Sequence, residues 1–516
     1  MSTPASPLRL PELVPEQEHL RGYVATVLGN IEYREWKQQL ERIHELLDLS
    51  RMEEIFQRLS LARRNEEEQR RSEKENRPFR KLSPMKQASY QRRCSQALRC
   101  NLAQSLTGDS FRDFGCRLSE SALLQWFCKL DRIDTVRIPS KSALQRYSQW
   151  LEEEDLRKVV DTLLGAASHG EDGGGQPVEL AEALKLEAYF LDTTCVKLHI
   201  HFPVDWVLLR DAARTLMKAT MLIRKRGLKV RMEEPEEFLK QMNRLCIKMT
   251  HARRRKDSRR IRKAALRAMK KLSKRIAAHA ERHRDELKKR WRETDLSQGE
   301  VQQIINRITA VLESLPAAVR QAHERIIGDR QIPNKEKILS LYEGHAAVYV
   351  RGKAGAEVEF GSQLLLGECE SGVIVDWELV CGKPRADTKM LKRSLERMEQ
   401  TPGGQSPQQI SGDRGFDSKA NRELLERRGI YNAICPKAPG ELNDKMKDAK
   451  FAELQRRRSQ TEARISIFKN GFLGSPLLSK GHANQSREVA WKVLAHNLWV
   501  IARLPQRPAK LLLKAS

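Results

Sequence analysis

Three acidic residues stand in surroundings that do not suit a solvated surface acid. Asp192 lies inside an apolar run, "YFLDTTCV". An unpaired carboxylate there is costly to desolvate, and burial raises its pKa unless a cation or hydrogen-bond donors hold it ionised. Asp413 ends the short strand pattern "QQISGD", just before "RGF" and a helical segment. Acids at strand ends in an α/β sheet project into the crevice where ligands bind. Glu462 sits in "QRRRSQTEARISIFKNG", residues 455–471, a lone acid among cations. Three acids on separate elements could converge to hold two hard, oxygen-loving divalent ions, Mg²⁺ or Mn²⁺. Such a pair activates an attacking oxygen and stabilises a leaving one at a phosphodiester.

The stretch around Glu462 reads as a helix. At 100° per residue, Gln455, Arg458, Glu462 and Lys469 fall in one stripe roughly 60° wide. Leu454, Ile465, Phe468 and Phe472 form an adjoining apolar stripe, and Arg456, Arg457 and Arg464 point elsewhere. Taken alone, Arg458 and Glu462 could be a routine surface i,i+4 pair worth about 0.3–0.5 kcal/mol. Asp192 and Asp413 favour the other reading, in which Glu462 is a third ligand.

These residues need a scaffold, and the chain supplies α/β texture around them. "EAYFLDTTCVKLHIHFP" (187–203) alternates as a strand or as two strands joined by a turn. Residues 346–381 carry β-rich runs with glycine turns, and "RGKAG" is a basic loop between them. Lys353 in that loop is either a phosphate contact or part of a solvated turn. Helix, strand, helix, strand and the Glu462 helix follow, which gives a mixed α/β core. Between the first strand and the rest lies a long helical stretch. Asp205 to about Lys225 is helical, and residues 235 to about 328 form long helices with few breakers. From Lys248 to Arg290 there are 19 Lys/Arg against 4 Asp/Glu, a net of +15. A thin apolar seam at Ile261, Leu266, Met269 and Leu272 suits a helical hairpin that projects from the body. Such an arm either contacts nucleic acid or is merely solvated.

Upstream, residues 1 to about 80 look helical and polar, ending in a mixed-charge run. Ser83 and Pro84 then signal a helix start. Short amphipathic helices follow to about 167, and Ser140, Lys141 and Ser142 open one of them. Clusters of this kind are either DNA-reading modules or ordinary small helical bundles. "SHGEDGGGQP" (168–177) marks a flexible boundary.

The 516-residue chain has a net charge of +27, and more than half of it lies in the one segment above. So much positive charge implies a polyanionic partner, usually nucleic acid. Nine cysteines without CxxC or paired Cys/His spacing argue against a zinc site and fit reduced thiols in the cytoplasm. No apolar run is long enough to span a membrane, and the N-terminus lacks the pattern of a secretory signal.

The same residues resemble a known family. Gln455-x2-Arg458-x3-Glu462-x6-Lys469 is similar to the Tyr-x2-Arg-x3-Glu-x6-Lys signature of DDE transposases of bacterial insertion sequences. "LDTTCVKLHIHFPVD" resembles their first-acid segment and "SGDRGFDSKANRELLERRGI" their second. "RGKAGAEVEFG" and "LAHNLWVIAR" resemble further segments, most closely those of the ISNCY group. The resemblance covers about 187–503, and residues 90–165 more loosely resemble the helical N-terminal domain of such enzymes. It implies an RNase H-like mixed-sheet catalytic core (178–510), interrupted by the basic helical insertion at about 210–335. A helical N-terminal region (1–80) and a helical, DNA-binding domain (81–167) would precede it. Asp192, Asp413 and Glu462 carry over as metal-binding catalytic residues for two Mg²⁺ or Mn²⁺ ions. Arg458 and Lys469 carry over as DNA contacts, with Lys353, Gln455 and Lys141 as further candidates. Gln455 stands where the signature has Tyr, and only 49 positions separate Asp413 from Glu462. The implied activity is cutting of insertion-sequence ends and joining of them to target DNA, by a homodimer on double-stranded DNA. The implied setting is the bacterial cytoplasm, nucleoid-associated when bound. A nuclease without strand transfer and an inactive DNA-binding relative remain alternatives. Asp205 in "FPVDW" reads as a helix cap rather than a fourth ligand. His199 and His201 read as structural or DNA-facing, and Trp491, His496 and Trp499 as packing of the last helix.

Overall fold

The computed structural model describes residues 27, 29–130, 136–168, 177–252, 254–353, 356–400 and 407–507. Among these residues seven helices come first: α1 (Ile31–Leu49), α2 (Met52–Glu75), α3 (Pro84–Thr107), α4 (Phe111–Glu120), α5 (Ala122–Phe127), α6 (Lys141–Tyr147) and α7 (Glu153–Ser168). Strand β1 (Ala188–Lys197) follows, then four long helices: α8 (Asp205–Lys225), α9 (Pro235–Ala252), α10 (Ser258–Arg290) and α11 (Gln298–Ile326). The chain returns through β2 (Ala347–Lys353), β3 (Ala356–Glu368), β4 (Ile374–Leu379), α12 (Asp387–Gln400), β5 (Gln409–Gly412), α13 (Lys419–Arg427) and β6 (Tyr431–Ile434). It closes with α14 (Pro439–Lys445), α15 (Ala449–Ile467) and α16 (His482–Ile501).

The strands form one mixed sheet in the order β2-β3-β1-β5-β6, with β4 also paired to β3. β1 runs antiparallel to β3 and parallel to β5, and Leu191 lies beside Gly412. Because side chains alternate across a strand, β1 serves two layers. Tyr189 and Leu191 pack with Met390, Leu395 and Leu425 of α12 and α13. Phe190 packs on the opposite face with Ala433, Phe451 and Leu454. That alternation puts Asp192 on the α15 face and Thr193 on the α12 face. The run at 187–203 is a single strand and not a pair, since β1 ends at Lys197 and no second strand precedes α8.

Helices α1–α7 do not stand apart. Their apolar faces share one core with α16 and with Leu364, Leu366 and Trp377 of the sheet. Ser83 sits at the cap position of α3 but donates or accepts no capping bond, whereas the Ser140 hydroxyl accepts from the Ala143 N–H at the start of α6.

The insertion differs from the expected hairpin. Helices α8 to α11 pack on one another around a separate core that includes Leu209, Leu216, Met242, Leu266, Met269, Ile276, Ile308 and Val311. Leu266, Met269 and Leu272 of the expected seam are buried, and Ile261 is half-buried. Ala265, Ile276, Ala280 and Leu287 widen that seam, because α10 must face three neighbours rather than one. Asp205 is also corrected. It is the first residue of α8, with Val204 at the cap position. Its buried carboxylate accepts from Arg325 at 2.8 and 2.9 Å and from Gln321 at 2.9 Å. It ties the two ends of the bundle together and is neither a cap nor a cleft residue. No helix among the described residues is long and apolar enough to cross a membrane.

Candidate active site

Asp192, Asp413 and Glu462 line one cleft of about 690 Å³. Each arrives on a different element. Asp192 is carried by β1 at the register where it pairs with Leu366 of β3. Asp413 follows directly after β5, where it caps a short turn by accepting the Gly415 N–H at 2.9 Å. Parallel pairing of β1 with β5 therefore brings the two acids side by side where β5 ends, although 221 positions separate them in the chain (413 minus 192). Glu462 comes from α15, whose Phe451 and Leu454 pack against Phe190.

The electrostatics of the cleft are those of crowded carboxylates. Asp192 is half-buried. Burial first, then the negative charges of Asp413 and Glu462, push its carboxyl up to about 6. The Thr193 N–H, which donates to its Oδ1 at 2.7 Å, and Arg458 oppose that rise without cancelling it. A cation placed among these oxygens would reverse the repulsion. All-oxygen donors side by side on neighbouring strands, one in mid-β1 and one just past β5, suit a hard divalent ion. As the side chains stand, no three of His, Cys, Asp and Glu among the described residues are gathered closely enough to hold one. Glu462 is 61% exposed and lies 3.9 Å from Arg458, so its long side chain has room to swing inward.

The cations of "QRRRSQTEARISIFKNG" divide as the helical stripe requires. Leu454, Ile465, Phe468 and Phe472 are all buried. Lys469 donates to the Thr194 hydroxyl at 3.0 Å, two residues along β1 from Asp192. It lies in a π-helical turn, Phe468–Leu473, that continues α15. Arg458 also donates to the Gln455 side chain at 3.3 Å. The Gln455 amide in turn donates to the Ala433 carbonyl and, at 3.4 Å, to Ser411. Gln455 thus joins α15 to β5 and β6. Arg457 leaves the stripe, pairing with buried Glu368 at 3.0 Å and lying 4.6 Å over the Phe190 ring. Arg464 donates to the Glu370 carbonyl at 3.2 Å.

The other sequence candidates lie elsewhere. Lys141 is exposed at the first position of α6. Lys353 ends β2, and its side chain is outside the described residues. His199 and His201 line a second groove beyond β1. His496 is buried edge-on against Phe468 and Phe472, beside Trp499, as packing of the last helix requires.

One cleft acid escaped the sequence. Asp387, the first residue of α12, lines the same cleft. Its Oδ1 accepts from the Thr193 hydroxyl at 3.0 Å and from the Gln363 amide at 3.2 Å. A β-carbon on Gly415 would sit 2.5 Å from its Oδ2, so a larger residue there would displace the Asp387 carboxylate. The available signal was "PRAD" between a strand and an amphipathic helix, which reads equally well as a simple helix start.

Residues 368–498 match the family model described as a transposase DDE domain. The match supports a DDE transposase. It covers Asp413, Glu462 and the whole of α15, while Asp192 lies upstream of it and reaches the cleft through β1. The six-stranded mixed sheet flanked by helices is consistent with an RNase H-like DDE domain. No curated protein and no solved structure matches the chain.

Proposed function

We propose that the protein is a DNA transposase of the ISNCY-like group, which cuts the ends of an insertion sequence and joins them to target DNA. The observation that carries this reading is the convergence of Asp192, Asp413 and Glu462 on one cleft, in a chain whose transposase-like segment supplies two of the three. Asp192 and Asp413 would hold the ions from the sheet where β5 ends, and Glu462 would complete the set from α15. Two Mg²⁺ or Mn²⁺ ions, when bound, supply activation of the attacking oxygen and stabilisation of the leaving oxygen at a phosphodiester.

The remaining work falls to the chain's own residues. Lys469, held by Thr194, keeps an ammonium at the cleft for a non-bridging phosphate oxygen. Arg458 sits one helical turn before Glu462 and balances its charge until DNA arrives. Gln455 fixes α15 against the sheet and so sets the reach of both. Asp387 holds Thr193, the neighbour of Asp192, from the opposite face. Lys353, Lys141 and the basic insertion would follow the DNA backbone away from the cleft. Cutting two ends together calls for a homodimer on DNA.

The test is cleavage and joining of end-containing DNA in Mg²⁺ or Mn²⁺. Asp192→Asn, Asp413→Asn and Glu462→Gln should each lose at least about 100-fold in rate, since even outer-shell partners of metal ligands are worth 10–100-fold. Full activity in any of the three sinks the assignment. Joined products on target DNA separate a transposase from a nuclease that only cuts.

A further inference from the structure

A second groove of about 460 Å³ opens where β1 hands over to the insertion. It is built from the end of β1, the 198–204 connection, the start of α8 and the returning segment at 339–342. Two aromatic rings lie in its wall with large exposure, Phe202 at 74% and Tyr342 at 52%. The Phe202 ring meets Phe360 edge-on, with centroids 5.6 Å apart, so it is held by one edge while most of it faces solvent. The Tyr342 hydroxyl is anchored to Thr215 at 2.5 Å and to the Asp211 carbonyl at 3.1 Å. Around the rings stand Lys197, His199, His201 and Lys480, all exposed. The one acid in the lining, Asp211, is already paired with Arg210 at 3.3 Å.

Two exposed rings gathered in the lining of one groove mark a contact surface rather than isolated surface residues. Fixed aromatic faces ringed by cations suit unstacked bases on a phosphate backbone. A recess of this volume accepts a small ligand but not a duplex, whose bases are stacked on one another. We infer that this groove binds an unpaired stretch of single-stranded DNA, with bases against Phe202 and Tyr342 and phosphates against Lys197 and Lys480. Lys197 and Asp192 share β1 five residues apart, roughly 17 Å along the strand. A strand leaving the cleft therefore reaches the groove within a few nucleotides. That placement, though not the binding itself, rests on the proposed cutting function.

The probe is a short single-stranded oligonucleotide carrying one 2-aminopurine, whose fluorescence is quenched on stacking, titrated into the full-length protein. Phe202→Ala should weaken binding about ten-fold and relieve the quench, and Phe202→Trp should restore both. Lys197→Ala with Lys480→Ala should weaken binding and flatten its salt dependence without relieving the quench of what remains bound. Equal affinity of wild type and Phe202→Ala for the single strand overturns the inference. So does concentration-dependent self-association that Phe202→Ala abolishes, because the groove would then seat a second copy. Asp192-dependent cleavage in a protein that shows no Phe202-dependent stacking would reject the groove and leave the cutting function intact. Stacking with no cleavage would do the reverse.

Discussion

At the scale of single residues, the arginines following Gln455 show how position on a helix decides role. Arg457 is nearly buried, and with Thr461 it satisfies the carboxylate of Glu368 inside the sheet. Arg456, one residue earlier, is exposed. Arg457→Ala leaves a buried carboxylate without its cation, and breaking such a pair costs about 3–5 kcal/mol. Arg456→Ala should change stability by less than about 0.5 kcal/mol. Urea denaturation of the two variants checks the contrast, and equal losses would mean that Glu368 is satisfied some other way. This division was legible in the sequence, because helical periodicity alone turned Arg457 and Arg464 away from Glu462. The destination of Arg457 was not, since Glu368 lies on a strand 89 positions earlier. Asp387 was missed for a similar reason. Its partners Thr193 and Gln363 belong to strands that only the sheet brings to it.

At the scale of elements, the helical periods were readable and their joints were not. The start and end of α8 follow from its apolar face and flanking residues, and "SKSALQRY" announced a helix opening at Ser140 to Ser142. No local pattern announced the joint between α2 and α3. There Arg99, wholly buried, bonds Glu53 and approaches His44 at 2.7 Å and Asp48 at 3.4 Å, while Lys129 donates to Glu53 at 2.8 Å. Burial by itself would raise the Glu53 carboxyl, but Arg99 and Lys129 overcome it and hold the group down at about 2, against 4.5 when free. A carboxyl depressed in the folded state stabilises the fold fully above its unfolded pKa. That stabilisation drains away as pH falls from about 4.5 to about 2. The full linkage is of order 3 kcal/mol. His44 adds a pH dependence of its own. Burial and then Arg99 lower its pKa, so its charging penalises the fold as pH drops below 6.5. Denaturation midpoints measured between pH 5 and pH 3 should therefore fall more steeply for the natural protein than for Glu53→Gln. Parallel curves would show that the joint does not depend on the charge of Glu53.

At the scale of the whole molecule, two bodies of different design meet where β1 hands over to α8. The sheet body gathers Asp192, Asp387, Asp413 and Glu462 at one cleft and pairs Arg397 and Arg457 with buried Asp376 and Glu368. The insertion buries an apolar core and leaves its cations outside. Composition alone located the second, because a net of +15 in one segment is visible without any fold. What composition could not give was the orientation of those charges, which depends on α8, α9 and α11 covering three sides of α10. With those sides covered, Arg267, Lys271 and Lys274 remain exposed. At i, i+4 and i+7 they form one stripe along the helix. Among the described residues they make no ion pair within the chain, so their charge is free for a polyanion. If DNA lies along this stripe, each cation neutralises about one phosphate and releases its counterions, worth about 0.9 in the slope of log affinity against log salt. Replacing all three with alanine should flatten that slope by about 3 on a duplex of arbitrary sequence. The fold should be spared, because none of the three contributes to the bundle core. Binding measured across a salt series decides the matter. An unchanged slope at unchanged stability would move the DNA path off α10, whereas a lowered slope with Asp192-dependent cleavage retained would make the insertion a grip that works at a distance from the cleft.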